Sequence, residues 1–391
     1  MLKRYYFDYS AASPVDKRVA KSMLPYQSEI FGNPGSVHKF GQEASAAIFK
    51  ARNKIAKLLN CDYKDIVFTA SATEANNFAI RGIVKAAKIS LPRIITSQIE
   101  HESVLETCRD MEKDGLVEVI YLPVSKDGIV DLKKLKAALN ERTVLVSVMY
   151  ANNVIGSIQP IKEISKIIRK FKEEKQFSLP YPLFHTDAAQ AFNYLDCDVK
   201  NLGADLMTLS SQKIYSPKGS GLLYMKNFGS SQGQKYINPI ITGGHQEDGL
   251  RGGTENVAGI VGFAEAAQIA FDLRGKESAR LLKLQDYFWK NLKKSFRGVL
   301  LNGPAIGEKR LTNNMDIYFP KQEGLIYKLD LAGFAVSGGS ACSARLCRPS
   351  HVLKAIGCSD TKASESIRIS FGRDTNKQNL DKLVVALKNI L

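Results

Sequence analysis

The sequence predicts an α/β protein: a large domain with a mostly parallel central sheet flanked by helices, joined to a smaller α+β domain. Three observations predict it. The chain has 391 residues, more than one hydrophobic core usually serves. Through the first two thirds, apolar runs rich in β-branched residues alternate with segments of helical period, the mark of βαβ units around a buried parallel sheet. After about residue 260 the alternation gives way to one long helical stretch and then strands with helices between them, an α+β pattern.

Taken in order, "DIVFTA" reads as a strand leading into an amphipathic helix that runs to about Ala87. "RIITSQ" precedes the helix "HESVLETCRDMEKDG", "VEVIYLPV" precedes "DLKKLKAALN", and "TVLVSVMY" precedes "IKEISKIIRKFKEEK". "PLFHTDAAQ" is a strand followed by a short connection, then come "ADLMTLS" and "GLLYMK". The long helical stretch is "AEAAQIAFDLRGKESARLLKLQDYFWKNLKKSF", and "NNMDIYFP", "FAVSGGSA" and "SIRISFG" are the later strands. The expected division is a large domain over 15–260 and a small domain made of 1–14 and 261–391, which carries the Cys342 loop.

Composition narrows the function classes. Hydrophobic residues make up 44% and aromatics 9%, ordinary values for a folded globular chain. "MLKRYYFDYS" has no apolar h-region with a small-residue cleavage site, and "VAGIVGFAEAAQIAFDL" is interrupted by Glu265 and Gln268, so neither a secretory signal nor a membrane span is expected. The expected location is cytoplasmic. Six cysteines, at 61, 108, 197, 342, 347 and 358, lack framework spacing, which predicts reduced thiols, with Cys61, Cys108 and Cys197 structural. The net charge of +16 is spread over scattered lysines without a zinc-finger, RNP-type or basic-tail pattern, so a solvated surface is expected rather than nucleic-acid binding, with an acidic partner as the next reading.

In open α/β folds ligands gather at the carboxyl ends of the strands. After "DIVFTA" comes "SATE", where Ser71 and Glu74 have capping-box spacing; a helix N-terminus there is an ordinary cap or a phosphate seat. Asp187 ends "PLFHTD", with Gln190 three residues on; an acid at that edge orients a cofactor ring or merely caps the next segment. Lys213 lies just past "ADLMTLSSQ" and reads either as a surface group or as a desolvated amine nucleophile. His101 follows "TSQIE" and is equally consistent with a site or a satisfied structural role. Arg368, flanked by isoleucines in "SIRISFG", needs an anionic partner if buried. Cys342 sits in "SGGSACSARLC", a glycine/serine segment where an unpaired thiol needs a reason: chemistry, redox pairing or accident.

Ten motifs, in order, resemble those of the cysteine desulfurases, in the class V branch of the fold type I pyridoxal-phosphate enzymes: "FDYSAASPVD", "FGNPGSVHKFG", "FTASATEANNFAI", "EHESVLETC", "YANNVIG", "HTDAAQ", "SSQKIYSPKG", "GGHQEDGLRGGTENV", "SGGSACSA" and "SIRISFGR". The resemblance runs almost end to end and implies the fold type I architecture and a pyridoxal 5'-phosphate cofactor. It implies that Lys213 carries the cofactor and later moves the substrate Cα proton. Asp187 would pair with the pyridine nitrogen, Gln190 with the phenolate oxygen, His101 would stack on the ring and relay protons, and Asn153 would lie near the ring. Ala72, Thr73 and Ser210 would cradle the phosphate, and Thr254 would reach it from the neighbouring subunit of a homodimer. Arg368 would clamp the carboxylate of L-cysteine. Cys342 would take the sulfur as a persulfide, release alanine and pass the sulfur to a protein acceptor, an iron–sulfur scaffold or a tRNA-thiolation protein.

Two departures stand out. Gln212 occupies the place before the lysine where histidine is usual, and an amide also donates to phosphate; Cys347 is a second thiol five residues after Cys342 that reads as a bland neighbour first, and otherwise as a resolver of the persulfide, a disulfide partner or a metal ligand. Rival readings are a selenocysteine lyase or aminotransferase of the same fold, and a catalytically silent thiol or metal-binding protein. The latter is disfavoured because the spacings between Cys342, Cys347 and Cys358 match no strong zinc pattern, and no metal site is expected.

Overall fold

The computed structural model describes residues 4–175, 180–228, 236–338 and 349–391. Its strands are β1 (Tyr5–Tyr6), β2 (Ile66–Thr69), β3 (Arg93–Ser97), β4 (Glu118–Leu122), β5 (Thr143–Ser147), β6 (Leu183–Asp187), β7 (Leu206–Ser210), β8 (Gly221–Met225), β9 (Leu300–Leu301), β10 (Asn314–Tyr318), β11 (Phe334–Ala335) and β12 (Ser366–Ser370). The large sheet has the order β2-β8-β7-β6-β5-β3-β4. All pairs from β7 to β4 are parallel, whereas β8 is antiparallel to both β7 and β2. The short connection from β7 to β8 has no room for a crossover helix, so β8 returns antiparallel. The sheet is mostly parallel as expected, with one strand reversed. Every residue of β5, β7 and β8 is buried, as strands covered on both faces require.

The smaller sheet, β12-β10-β9, is antiparallel, and β1 pairs with β11 in a separate parallel ladder. Two sequence expectations change here. "FAVSGGSA" forms a strand only over Phe334–Ala335, and residues 339–341 of it lie outside the described part. The long helix begins earlier than its motif and spans Val257–Ser295, 39 residues and about 58 Å. Its first half packs Ile260, Phe263 and Ala267 into the core under the large sheet, and its second half packs Leu281, Phe288 and Leu292 into the core of the small sheet. The helix therefore couples the two cores. The helix Lys39–Leu59 had no strong sequence signal, because its buried stripe is largely alanine: Ala44, Ala47 and Ala51 beside Ile48, Ile55 and Leu59.

Among the described residues no helix is long and apolar enough to cross a membrane. Cys108 and Cys197 are buried and Cys61 half-buried. Burial pushes all three thiols up to about 12, which suits the structural role expected of them.

Candidate active site

A cavity of about 240 Å³ opens where β6 and β7 end, against the N-terminus of the helix Ala72–Ala86 and beside β12. Besides the cap residue Ser71, ten of the residues singled out in the sequence line it: Ala72, Thr73, His101, Asn153, Asp187, Gln190, Ser210, Gln212, Lys213 and Arg368. Thr254 does not line it; it is exposed on a separate loop. Cys342 and Cys347 lie outside the described residues.

The helix N-terminus is built by local sequence. Ser71 is the N-cap, accepting from the Glu74 amide at 3.1 Å, while the Glu74 carboxylate accepts from the Ala70 amide at 2.8 Å. The first-turn amides of Ala72 and Thr73 then point out of the helix end. Strand β8 comes so close that a Cβ on Gly221 would lie 2.5 Å from the Ser71 carbonyl carbon, so only glycine fits. Arg251 locks the far side by pairing with Glu74 at 2.9 Å. The helix end is therefore capped as the Ser71–Glu74 spacing predicts.

Asp187, the last residue of β6, is buried and faces two donors. Its Oδ1 accepts from the Ala189 amide at 2.9 Å and its Oδ2 from Asn76 Nδ2 at 2.8 Å. Asn76 Nδ2 also donates to Ser103 Oγ at 2.8 Å, and Ser103 Oγ lies 2.9 Å from His101 Nδ1. The Ser103 amide donates to the same Nδ1 at 3.1 Å, so Nδ1 is an acceptor and the ring proton belongs on Nε2. Burial, the largest influence, pushes His101 below its ordinary value, with Asp187 opposing and Lys213 adding to the shift. A neutral imidazole wired through Ser103 and Asn76 to Asp187 is therefore what the site presents.

Lys213 sits on a short 3-10 turn after β7. Its Nζ donates to Ser10 O at 2.7 Å and Ala11 O at 2.6 Å, and Gln190 Nε2 also donates to Ser10 O at 2.8 Å. The turn is pinned from both sides: Ser13 Oγ donates to Gln212 O at 2.9 Å and accepts from the Tyr215 amide at 2.8 Å, while Asn193 Nδ2 donates to Lys213 O at 2.6 Å. Tyr215 adopts φ +67, a left-handed conformation costly for an aromatic residue, and it is held there by Arg373, whose guanidinium stacks 3.9 Å from the ring centroid.

Arg368 arrives from β12 with its side chain 1% exposed. Its Nη2 donates to Asp8 Oδ1 at 2.7 Å and its Nη1 to Asn153 O at 3.0 Å, while Nε is buried with no partner among the described residues. The sequence argument that this arginine needs an anion is met by Asp8. Asn153 is presented by a turn that Asn152 Oδ1 caps through the amides of Val154 and Ile155.

The sequence reading assigned no role to Asn76, Ser103, Asp8 or the carbonyls of Ser10 and Ala11. A signal existed for Asn76: it is the polar residue on the otherwise apolar buried face of its helix, among Ala75, Phe78, Ala79, Ile80 and Ile83.

The lining fits a phosphorylated pyridoxal ring in its chemistry, with helix-end amides and hydroxyls for a phosphate, a carboxylate, an imidazole and a lysine amine. Comparison with known proteins points the same way. The Aminotransferase class-V family matches residues 5–383. The chain is similar to a cysteine desulfurase IscS of Dictyoglomus turgidum, 43% identical over 100% of this chain and 95% of that one, and to a cysteine desulfurase IscS of Rickettsia rickettsii, 42% identical over 97% and 89%. Among solved structures, a NifS-like protein superposes with a TM-score of 0.89 at 34% identity over 99% of both chains. SspA in complex with cysteine gives 0.79 at 35% identity over 94% of this chain and 98% of that one. The chain therefore belongs to the class-V aminotransferase family.

Proposed function

We propose that this protein is a pyridoxal-phosphate-dependent cysteine desulfurase that converts L-cysteine to L-alanine and takes the sulfur on Cys342. The observation that carries this reading is the convergence of Lys213, Asp187, Arg368 and a helix N-terminus on one cavity at the strand ends. Ala72, Thr73, Ser210 and Gln212 would hold the phosphate, Asp187 the pyridine nitrogen, Gln190 the phenolate oxygen, and His101 the ring face, with Asn153 nearby. Bound there, the cofactor supplies a ring that withdraws electrons from the substrate Cα.

The chain's own groups do the rest. Arg368 binds the substrate carboxylate and orients the amino acid. Lys213, held by the carbonyls of Ser10 and Ala11, removes and returns the proton at Cα. His101, kept neutral with its proton on Nε2, moves a proton near the leaving sulfur on this reading. Cys342 attacks that sulfur: the Cβ–S bond breaks, an S–S bond forms, and cysteine plus thiol become alanine plus persulfide with no external oxidant or reductant. The thiols of Cys61, Cys108 and Cys197 are poor candidates, since burial disfavours each thiolate.

On this reading the small domain, 1–14 with 261–391, carries Arg368 and Cys342 to the large domain, 15–260. The molecule works as a homodimer, with Thr254 of each subunit reaching the phosphate of the other. Support comes from an exposed apolar surface over residues 24–40, where Leu24 is 63%, Phe31 69%, Val37 89% and Phe40 53% exposed. The acceptor of the persulfide sulfur is a protein of the iron–sulfur scaffold or tRNA-thiolation kind. Borohydride trapping of the loaded enzyme followed by peptide mass mapping tests the assignment. A pyridoxyl group on Lys213 is expected, and one on any other lysine overturns it.

A further inference from the structure

One turn answers three of the cavity's donors. The Ala11 amide donates to Asp8 O at 3.0 Å, closing a turn over residues 8–11. From it, Ser10 O and Ala11 O take the Lys213 ammonium, Ser10 O takes Gln190, and the Asp8 carboxylate takes Arg368. The Arg368 end is unusual. A guanidinium has five N–H donors, yet among the described residues this one has two protein acceptors and a buried Nε with none. Asp316 stands opposite Arg368 in the strand register, but its Oδ1 takes Asn302 Nδ2 at 2.7 Å. Asp8, 18% exposed, is the carboxylate in hydrogen-bond contact with the guanidinium.

We propose that Asp8 is a positioning residue that occupies the substrate-carboxylate seat of Arg368 in the resting enzyme, so that an amino-acid carboxylate binds by sharing the guanidinium with Asp8 or displacing it. This rests on reading Arg368 as the substrate clamp. Two carboxylates on one guanidinium repel each other, so Asp8 weakens binding while keeping Arg368 aimed. A bare buried guanidinium would hold substrate and product alike too tightly, and uniform tightness of that kind does not speed turnover. Asp8 thereby favours release of alanine.

The sign of the effect separates this role from a structural one. Titration calorimetry of the pyridoxal-phosphate-loaded enzyme with L-alanine, and with acetate as a carboxylate lacking the amine, measures it. Asp8→Asn keeps the shape and the acceptor oxygen but removes the charge, and both ligands are expected to bind about tenfold more tightly. Asp8→Glu, which restores the charge, is expected to return near-wild-type affinity. KM for L-cysteine should fall in Asp8→Asn without a matching gain in kcat. Unchanged or weaker binding in a folded Asp8→Asn overturns the proposal, because a residue that only props Arg368 would lose affinity when altered. Should Asp8→Asn not fold, Asp8→Ser carries the same test with the same two readings. Arg368→Gln is the control: if alanine binds it as well as wild type, the clamp assignment fails independently of Asp8.

Discussion

Two sets of polar side chains, an inner layer buried away from the cavity and an outer layer that lines it, are wired differently. In the inner layer His185 lies between Ser147 Oγ at 2.8 Å and Thr208 Oγ1 at 3.0 Å, and Arg310 donates to the carbonyls of Pro304, Asn302 and Asn314. Both rings of contacts close on protein, and neither residue lines the cavity. In the outer layer His101, Lys213 and Arg368 also have protein partners, but each lines the cavity. Protonation is strongly perturbed in the inner layer: burial pushes His185 down to about 4 and Arg310 down to about 9. A shifted pKa therefore marks burial here rather than the site, and the discriminating feature is access to the cavity.

Four experiments break or sharpen that contrast. Replacing Lys213 by Ala is expected to lower alanine formation from L-cysteine by at least about a thousandfold, with the fold intact by circular dichroism; activity within tenfold of wild type would remove Lys213 from the outer layer's chemistry. His185 carries the largest expected stability effect. Its folded pKa lies below its unfolded value of 6.5, so the unfolded chain binds more protons between about 6.5 and 4, and stability falls as pH drops through that window. The loss is roughly 3 kcal/mol, read from urea midpoints at several pH values, and His185→Gln should flatten it. Third, Arg368→Gln is expected to lower kcat/KM for L-cysteine about a hundredfold, chiefly through KM. Smallest is Arg310→Gln, which should cost about 2 kcal/mol of stability and leave KM for L-cysteine unchanged. A KM shift there would mean the two layers are not separate.

Legibility in the sequence followed the physics of each feature. Strands β2 to β8 were readable because continuous β-branched runs bounded by polar turns have few other readings, and strand ends then located Asp187 and Lys213. The reversal of β8 is written not in the strand's own residues but in its connection, residues 211–220, which is too short for a crossover helix. The helix Lys39–Leu59 was faint because alanine gives a weak periodic contrast. In the site, residues with distinctive chemistry were found, whereas the parts that aim them were not. Asn76, Ser103 and Asp8 act through hydrogen bonds between segments far apart in the chain, the widest spanning 360 positions from Asp8 to Arg368. Arg368 shows the boundary: its need for an anion follows from two flanking isoleucines, but the identity of that anion does not.

The most direct test of the account is a single turnover of the loaded enzyme with L-cysteine in the absence of reductant, following alanine and locating the added sulfur by peptide mass. The account predicts one alanine per active site with the sulfur on Cys342, and neither in Cys342→Ala. Alanine released at the wild-type rate by Cys342→Ala, or sulfur carried by another thiol of the wild-type chain, would contradict it.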